Sequence, residues 1–297
     1  VCDGTERRIR FRGLVDLEYG LDVPPLDIVE CPGCGLLSLD PMPSAEVLNG
    51  FYTPDYANIR LESEGGLRSR LARLHDRRLV RRLARLAGPQ ARVLDVGCSA
   101  GQLLGAMKEM MPGWRAEGLE SAPAAVEAGR ARGRDIFLGT LDRAPFAPES
   151  FDFVVLNHVI EHVPDPAAML RGAARLLRPG GSIYVETPNI RCLDFRLFGR
   201  YWGGIHFPRH TVLFSDRNIL PLFRACGFDD ARIEPAPLPF GWAMGVQNLM
   251  VAKLGLRPVG GRIPGYPLVL LAVAPIVLLQ GLFGSTAAMA VTARRRP

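Results

Sequence analysis

Three groups of residues in this chain have types and spacings that can do chemistry. The first is Val93-Leu94-Asp95-Val96-Gly97-Cys98-Ser99-Ala100-Gly101, where apolar residues and one acid end in small residues. The apolar run Leu103-Leu104-Gly105-Ala106-Met107 follows almost at once. This pattern predicts a buried strand, a tight glycine turn and the start of a helix. Glycine admits positive φ and lets a ligand touch the backbone. The helix N-terminus behind it offers unpaired N–H groups and a partial positive charge to an anion. The second group is histidine: of His75, His158, His162, His206 and His210, the last four lie just beyond two expected strand ends. Ligands of open α/β sheets bind at the carboxyl ends of strands, and imidazole exchanges protons near neutral pH. The third group is Cys31-Pro32-Gly33-Cys34-Gly35, two thiols on a turn at the spacing that grips tetrahedral zinc.

Three chemistries can use the glycine turn. Dinucleotide binding wants Gly-x-Gly-x-x-Gly, whereas here Gly97 and Gly101 flank Ser99 with no third glycine in place. The pattern Gly-x-Ser-x-Gly also matches a nucleophile elbow, but that fold needs several earlier strands and an oxyanion loop. Most residues before Val93 instead form an Arg-rich helical stretch. The third chemistry is binding of S-adenosylmethionine, whose carboxylate suits the helix end and whose ribose needs an acid from the next strand. Arg115 to Leu119 reads as that strand, and it ends at Glu120, about 20 residues beyond the turn, where nucleotide-type folds hold a ribose diol.

Further segments follow in order: Ala144-Pro145-Phe146, Ser150-Phe151-Asp152-Phe153 through Asn157, Glu161-His162-Val163-Pro164-Asp165-Pro166 and Leu177-Arg178-Pro179-Gly180-Gly181. Together with Asp95–Gly101 and Glu120, they make residues 90–235 resemble a class I S-adenosylmethionine-dependent methyltransferase. The resemblance implies that Asp95, Gly97, Ser99 and Gly101 hold the methionine end and Glu120 the ribose hydroxyls. It places Leu141 against the adenine and Asn157 and His158 along the methyl end. Two positions depart from the family pattern. Ser99 stands where a second glycine is frequent. Thr140 stands where an acid often meets the adenine amino group, with Asp142 as its possible substitute.

These residues require a particular set of elements. Alternating apolar runs predict strands near 92–97, 115–120, 135–138, 151–157, 182–187, 230–236 and 286–293. Helices are expected near 101–111, 122–132, 165–177 and 215–226. The expected architecture is therefore α/β, a doubly wound, seven-stranded Rossmann-like sheet. It divides into a Cys-rich segment over 1–50, a helical link over 51–90 and the main domain over 91–297. Leu67, Leu71 and Leu74, then Leu79, Leu83 and Leu86, recur at three- and four-residue steps within each run and predict an amphipathic helix with a solvated Arg face. Residues 239–284 are unusually apolar, but Pro275 interrupts the run and a span would strand the last β-strand on the wrong side of a bilayer. A buried or dimer-forming helical insertion is expected there, with peripheral membrane contact as the alternative.

Composition narrows the partners. The chain of 297 residues carries 36 Lys and Arg against 30 Asp and Glu, net +6. Lys108 and Lys253 are its only lysines, which points to an Arg-biased genome rather than a nucleic-acid surface. Six cysteines make no disulfide framework in a chain this long. The polar start carries no signal-peptide pattern, so a cytoplasmic setting is expected, with membrane association left open by the apolar segment. Related methyltransferases carry an N-terminal cysteine module. That resemblance implies zinc at Cys2, Cys31 and Cys34, either with a ligand from outside this set or as an incomplete site.

The expected activity is methyl transfer from S-adenosylmethionine to a small-molecule acceptor, most often oxygen, of quinone, polyprenyl, glycolipid or sugar type. A cofactor-binding protein without turnover, acting in a complex, is the rival. His206 and His210 sit in the aromatic, glycine-bearing segment Tyr201–His210, expected to close as a lid over the pocket. With His162 they are the candidate proton acceptors. Arg209 is a candidate partner for an acidic group on the acceptor.

Overall fold

The computed structural model describes residues 4–52, 67–236, 240–284 and 286–297. Its main sheet has seven strands in the order β10-β11-β8-β7-β4-β5-β6. These are β4 (Ala91–Val96), β5 (Trp114–Glu120), β6 (Ile136–Leu138), β7 (Phe151–Asn157), β8 (Leu177–Pro188), β10 (Phe228–Ala236) and β11 (Ala288–Arg295). The five from β8 to β6 run parallel, while β11 is antiparallel to both β8 and β10. Strand order reverses between β4 and β7, so a crevice opens at their carboxyl ends.

The apolar runs of these strands are buried on both faces, as a covered parallel sheet requires. Successive residues face opposite layers. Leu94, Val154, Leu156, Ile183 and Val185 pack with Leu170 and Leu176 of α5 (Pro166–Leu176) and with Ile219, Leu222 and Phe223 of α7 (Asp216–Ala225). Val93, Phe153, Val155 and Tyr184 pack on the other side. There they meet Leu79, Val80 and Leu83 of α2 (Leu67–Ala87), Leu103, Leu104 and Met107 of α3 (Gln102–Met110) and Val126 of α4 (Pro123–Arg130). Burying a side chain of this size contributes about 1.5–3 kcal/mol. The buried stripe of α2 is Leu79, Val80 and Leu83, whereas Leu74 and Leu86 are exposed. Leu79 and Leu83 of the expected leucine series thus face the core, whereas Leu74 and Leu86 do not.

A second sheet was not expected from the sequence. Strands β1 (Arg8–Phe11), β2 (Asp27–Glu30) and β3 (Leu37–Asp40) form an antiparallel meander, and β3 also pairs with β9 (Val212–Leu213). The short helix α1 (Ala45–Gly50) follows, capped by the Ser44 hydroxyl. Leu14, Leu26, Ile28, Leu37 and Leu39 share one core with Cys192, Phe195, Trp202, Ile205 and Phe207, the last five from the β8–β9 connection. That connection carries α6 (Leu193–Phe198). The N-terminal segment is therefore packed directly onto the segment that bears His206 and His210.

Between β10 and β11 lie two helices, α8 (Phe240–Leu254) and α9 (Tyr266–Leu282). Ala243 and Met244 of α8 pack with Ile263, Tyr266, Val273 and Val277. Much of α9 is bare: Leu268, Leu271 and Leu278 are each 71% exposed, and Leu282 is 81% exposed. The helix hairpin buries its inner face and leaves this outer surface bare, so the chain by itself covers one side of an insertion expected to be buried or dimer-forming. No helix among the described residues is long and apolar enough to cross a membrane.

Candidate functional site

The glycine turn behaves as its composition demands. Gly97, Ser99 and Gly101 adopt φ of 68°, 51° and 77°. A Cβ on Gly97 would stand 2.6 Å from Cγ2 of Val159, so space and backbone both require glycine there. Gly101 is the N-cap of α3, whose first N–H groups face the turn. Asp95, Gly97, Ser99, Gln102, Asn157 and His158 line a cleft of about 1060 Å³. Helix α2 supplies a further wall through Arg73, Asp76 and Arg77, which sequence reasoning had assigned only to a solvated face.

The cleft wall carries both signs of charge, Arg73, Arg77, Arg132 and Arg134 with Asp76, Asp95 and Glu109. Asp95 is buried, and its carboxyl is raised well above the usual range, first by burial and then by Asp76 and Glu120. Glu120 accepts from Ser99 N at 2.8 Å through one oxygen. Its other oxygen accepts from Ser121 N at 2.7 Å and Ala122 N at 2.9 Å. The carboxylate thus ties the end of β5 to the glycine turn, and Ser121 Oγ also donates to it at 3.4 Å. Oδ1 of Asn157 is buried with no hydrogen-bond partner among the described residues. Such an orphaned acceptor in a cleft wall calls for a donor from a bound molecule.

The residues expected at the adenine end lie beside the core. Leu141 is buried in the main core, close beside Gly172 of α5, rather than along the described cleft. The hydroxyl of Thr140 donates to Asp142 at 2.5 Å, which lowers the exposed Asp142 carboxyl. Those two residues are paired side by side, as a substitution of one for the other in an adenine contact would need.

At the far end of the cleft, His158 sits between two buried carboxylates. Its Nδ1 is 3.1 Å from Glu161, and its Nε2 is 3.4 Å from Glu186. Burial opposes protonation of this ring, but the two carboxylates outweigh it and raise it to about 10. Glu161 also accepts from Thr187 at 2.9 Å, and Glu186 accepts from Tyr184 at 2.5 Å. Sequence reasoning missed Glu186. A signal existed, because Asn157 and Glu186 are register partners at the ends of adjacent parallel strands.

Behind His158, the structure brings the three remaining candidate histidines together. Ring centroids of His162 and His210 are 4.6 Å apart, and those of His206 and His210 are 5.0 Å apart. Nδ1 of His206 meets Glu18 at 2.9 Å, and Nδ1 of His210 donates to the Gly204 carbonyl at 2.8 Å. Nδ1 of His162 lies 2.8 Å from the Tyr52 hydroxyl and 3.2 Å from the Arg209 carbonyl. Burial holds the His162 imidazole down at about 4, against the pull of Glu161. Burial, then the neighbouring His162 and His206, also holds His210 well below its usual range. Glu18 and Tyr52 lie more than 100 residues from their partners, and no local spacing announces them.

Two expectations are overturned here. Arg209 does not wait for an acidic group on an acceptor. It is wholly buried, donating to Asp16 at 2.8 Å and to the Phe51 carbonyl at 3.0 Å, with Tyr19 stacked on its guanidinium. It fastens the N-terminal segment to the histidines. Nor is Tyr201–His210 a hinged lid. Trp202 is buried and donates to Asp194 at 2.7 Å. Cβ atoms on Gly203 and Gly204 would each stand 2.2 Å from a neighbouring side chain, Met244 and Trp202 respectively. Those glycines serve close packing rather than hinging.

The cysteines make a quieter picture. Cys31 and Cys34 occupy the β2–β3 turn, closed by Gly35 N donating to Cys31 O at 2.7 Å. Cys2 lies outside the described residues. Among the described residues, the one group of three potential metal ligands is elsewhere, at Glu161, His162 and His210.

Comparison with known proteins agrees with this geometry. Residues 67–232 match the model of a methyltransferase domain family. A ubiquinone biosynthesis O-methyltransferase of Xanthomonas campestris is 39% identical over 113 residues, covering 36% of this chain and 46% of that protein. Its counterpart in Xanthomonas oryzae is 37% identical over 142 residues, covering 45% and 59%. The chain thus spans about half the length of these relatives. A methyltransferase from Thermotoga maritima, described as a possible histamine N-methyltransferase, superposes with a TM-score of 0.51 at 20% identity, covering 76% of this chain and 90% of that one. One from Archaeoglobus fulgidus does so with a TM-score of 0.51 at 18% identity, covering 75% and 94%. These structures share the fold. With more than half of its length matched by the family model, the chain belongs to the methyltransferase domain family.

Proposed function

We propose that this protein transfers a methyl group from S-adenosylmethionine to an oxygen of a small, lipophilic acceptor. The observation that carries the reading is the continuity of one cleft from the Gly97–Gly101 turn to Asn157 and His158, backed by the histidine cluster. S-adenosylmethionine supplies the activated methyl, so the protein's task is to align, exclude water and manage charge. The turn and the start of α3 suit the cofactor carboxylate. Glu120 suits the ribose hydroxyls. Around His158, two carboxylates and one imidazolium leave a net negative charge, which favours a sulfonium over the neutral thioether that remains after transfer.

His206 is our choice of proton acceptor. The Glu18 carboxylate orients its ring and fixes Nδ1 as the protonated nitrogen, as in acid–histidine pairs that serve general-base catalysis. The identities of the Xanthomonas relatives support oxygen as the acceptor atom and a lipophilic acceptor. The exposed leucines of α9 support delivery from a bilayer surface. Between residues 240 and 284 the only charged residues are Lys253, Arg257 and Arg262, all cationic, as suits anionic lipid.

Isothermal titration with S-adenosylmethionine and S-adenosylhomocysteine tests the core of this reading. Binding that Glu120→Ala weakens on the order of 10-fold or more is expected, in line with a lost hydrogen bond to a charged group. Absence of binding to both ligands overturns it. Vesicles containing phosphatidylglycerol should pellet the chain at low salt. A stable dimer that ignores vesicles would instead assign the α9 face to a second copy.

A further inference from the structure

We propose that Glu161, His162 and His210 form a binding site for a divalent transition-metal ion. One ligand atom from each lies within 4.8 Å of the other two. Bonds of imidazole nitrogen and carboxylate oxygen to such ions are about 2.0–2.2 Å, so an ion placed between the three atoms is within about 0.7 Å of bonding distance to each. Two histidines and one carboxylate make a ligand set used for zinc and for ferrous iron, with coordination positions left open to a further ligand. Mixed nitrogen and oxygen donors disfavour magnesium or calcium, which seek oxygen.

The surroundings meet the further requirements of a metal site. A metal-bound histidine usually donates its second ring N–H to a carbonyl or carboxylate, which fixes the tautomer. His210 does so to Gly204 at 2.8 Å. His162, in its Nδ1-protonated tautomer, does so towards Arg209 O at 3.2 Å. In those tautomers Nε2 is the ring nitrogen that carries a lone pair for the ion. Glu161 is fully buried and held by Thr187 and His158, so its carboxylate is oriented in advance. His158 itself lines the cofactor cleft, which places the ion one side chain from the transfer site. An open coordination position there would take an oxygen of the acceptor and favour its deprotonated form. The binding claim rests on these residues alone; the role in acceptor binding rests on the methyl-transfer reading.

The test is titration of the full, tag-free chain with Zn²⁺ and Co²⁺, with S-adenosylhomocysteine affinity measured on the same samples. The background is Cys31→Ser/Cys34→Ser, which removes the thiols of the β2–β3 turn. We expect one ion per chain in that background, with a Co²⁺ spectrum of nitrogen and oxygen ligation. Glu161→Gln and His210→Gln should each weaken binding on the order of 100-fold, while S-adenosylhomocysteine affinity reports that the fold persists. His210→Cys should add a thiolate-to-cobalt charge-transfer band, a gained signal that misfolding does not produce. Three results overturn the proposal: no saturable ion in the Cys31→Ser/Cys34→Ser background, full affinity in both single variants, or no new band in His210→Cys. Loss of S-adenosylhomocysteine binding with intact Co²⁺ binding would instead sink the methyltransferase reading and leave the metal site standing.

Discussion

The two ends of the cleft are built by opposite strategies. The cofactor end is local: Asp95, Gly97, Ser99 and Gly101 fall within seven consecutive residues, and Glu120 joins them from the next strand. The histidine cluster, which we assign to the acceptor, is assembled from afar. Glu18 comes from the N-terminal segment, Tyr52 from just past α1, Glu161 and His162 from the turn after β7, and His206 and His210 from the β8–β9 connection. A ligand common to a whole family can be held by one strand–turn–helix unit, because its demands on backbone and dipole never change. An acceptor that differs from protein to protein is recognised by peripheral segments that vary without disturbing the sheet.

The comparison fails if the two ends cannot be disabled separately. The largest effect is expected from His206→Ala, which should lower kcat about 10²–10⁴-fold and leave S-adenosylhomocysteine affinity unchanged. Glu18→Gln should lower kcat less, because the ring loses its charged orienting partner but keeps a hydrogen bond. Titration of both variants checks this, and a parallel loss of cofactor affinity would show that the ends are one unit. Next comes Arg209→Met. It strips the buried Asp16 of its cation, where both side chains are wholly buried, and removing one partner of such a pair costs about 3–5 kcal/mol. Thermal unfolding should show the loss, and an unchanged Tm would mean that the N-terminal segment is not anchored through this pair. Gly97→Ala should act on the opposite end. Positive φ and the 2.6 Å approach to Val159 predict about 1–3 kcal/mol of strain. That strain would appear as weakened S-adenosylhomocysteine binding.

The same contrast explains what the sequence disclosed. The seven strands of the main sheet and the helices α2 to α5 and α7 were legible because periodicity and glycine punctuation are local signals. Small errors at boundaries came from irregular pairing. Strand β8 begins at Leu177 rather than Ser182, because the Pro179-Gly180-Gly181 stretch is absorbed as a bulge against β7. The second sheet was illegible, since β1 to β3 are four residues each and close only by pairing with the distant β9. The histidines were recognisable as a set from their strand-end positions, yet their partners were not. Arg209 was misread for the same reason: nothing near it in sequence reveals Asp16. Leu141 is packed with the main core, as an apolar residue's tendency predicts.

The smallest predicted effect also tests the cofactor end most closely. Asp95 is buried with its carboxyl raised well above the usual range, by burial first and then by Asp76 and Glu120. A raised folded-state value means that the folded chain holds this proton more tightly than the unfolded chain does. The associated stability is fully present below the unfolded value near 3.8 and is lost as pH rises through the folded one. At neutral pH the ligand-free protein therefore bears a cost at Asp95 that Asp95→Asn removes. The variant should melt at a higher temperature than the parent at pH 7, and the two should converge as pH falls towards 4. It should bind S-adenosylmethionine more weakly, because the amide replaces one of the two carboxyl oxygens that could accept from the cofactor. Such opposition of stability and function marks sites selected for binding. A variant that melts lower at pH 7 while binding the cofactor normally would make Asp95 a structural residue and leave the glycine turn alone to define this end of the cleft.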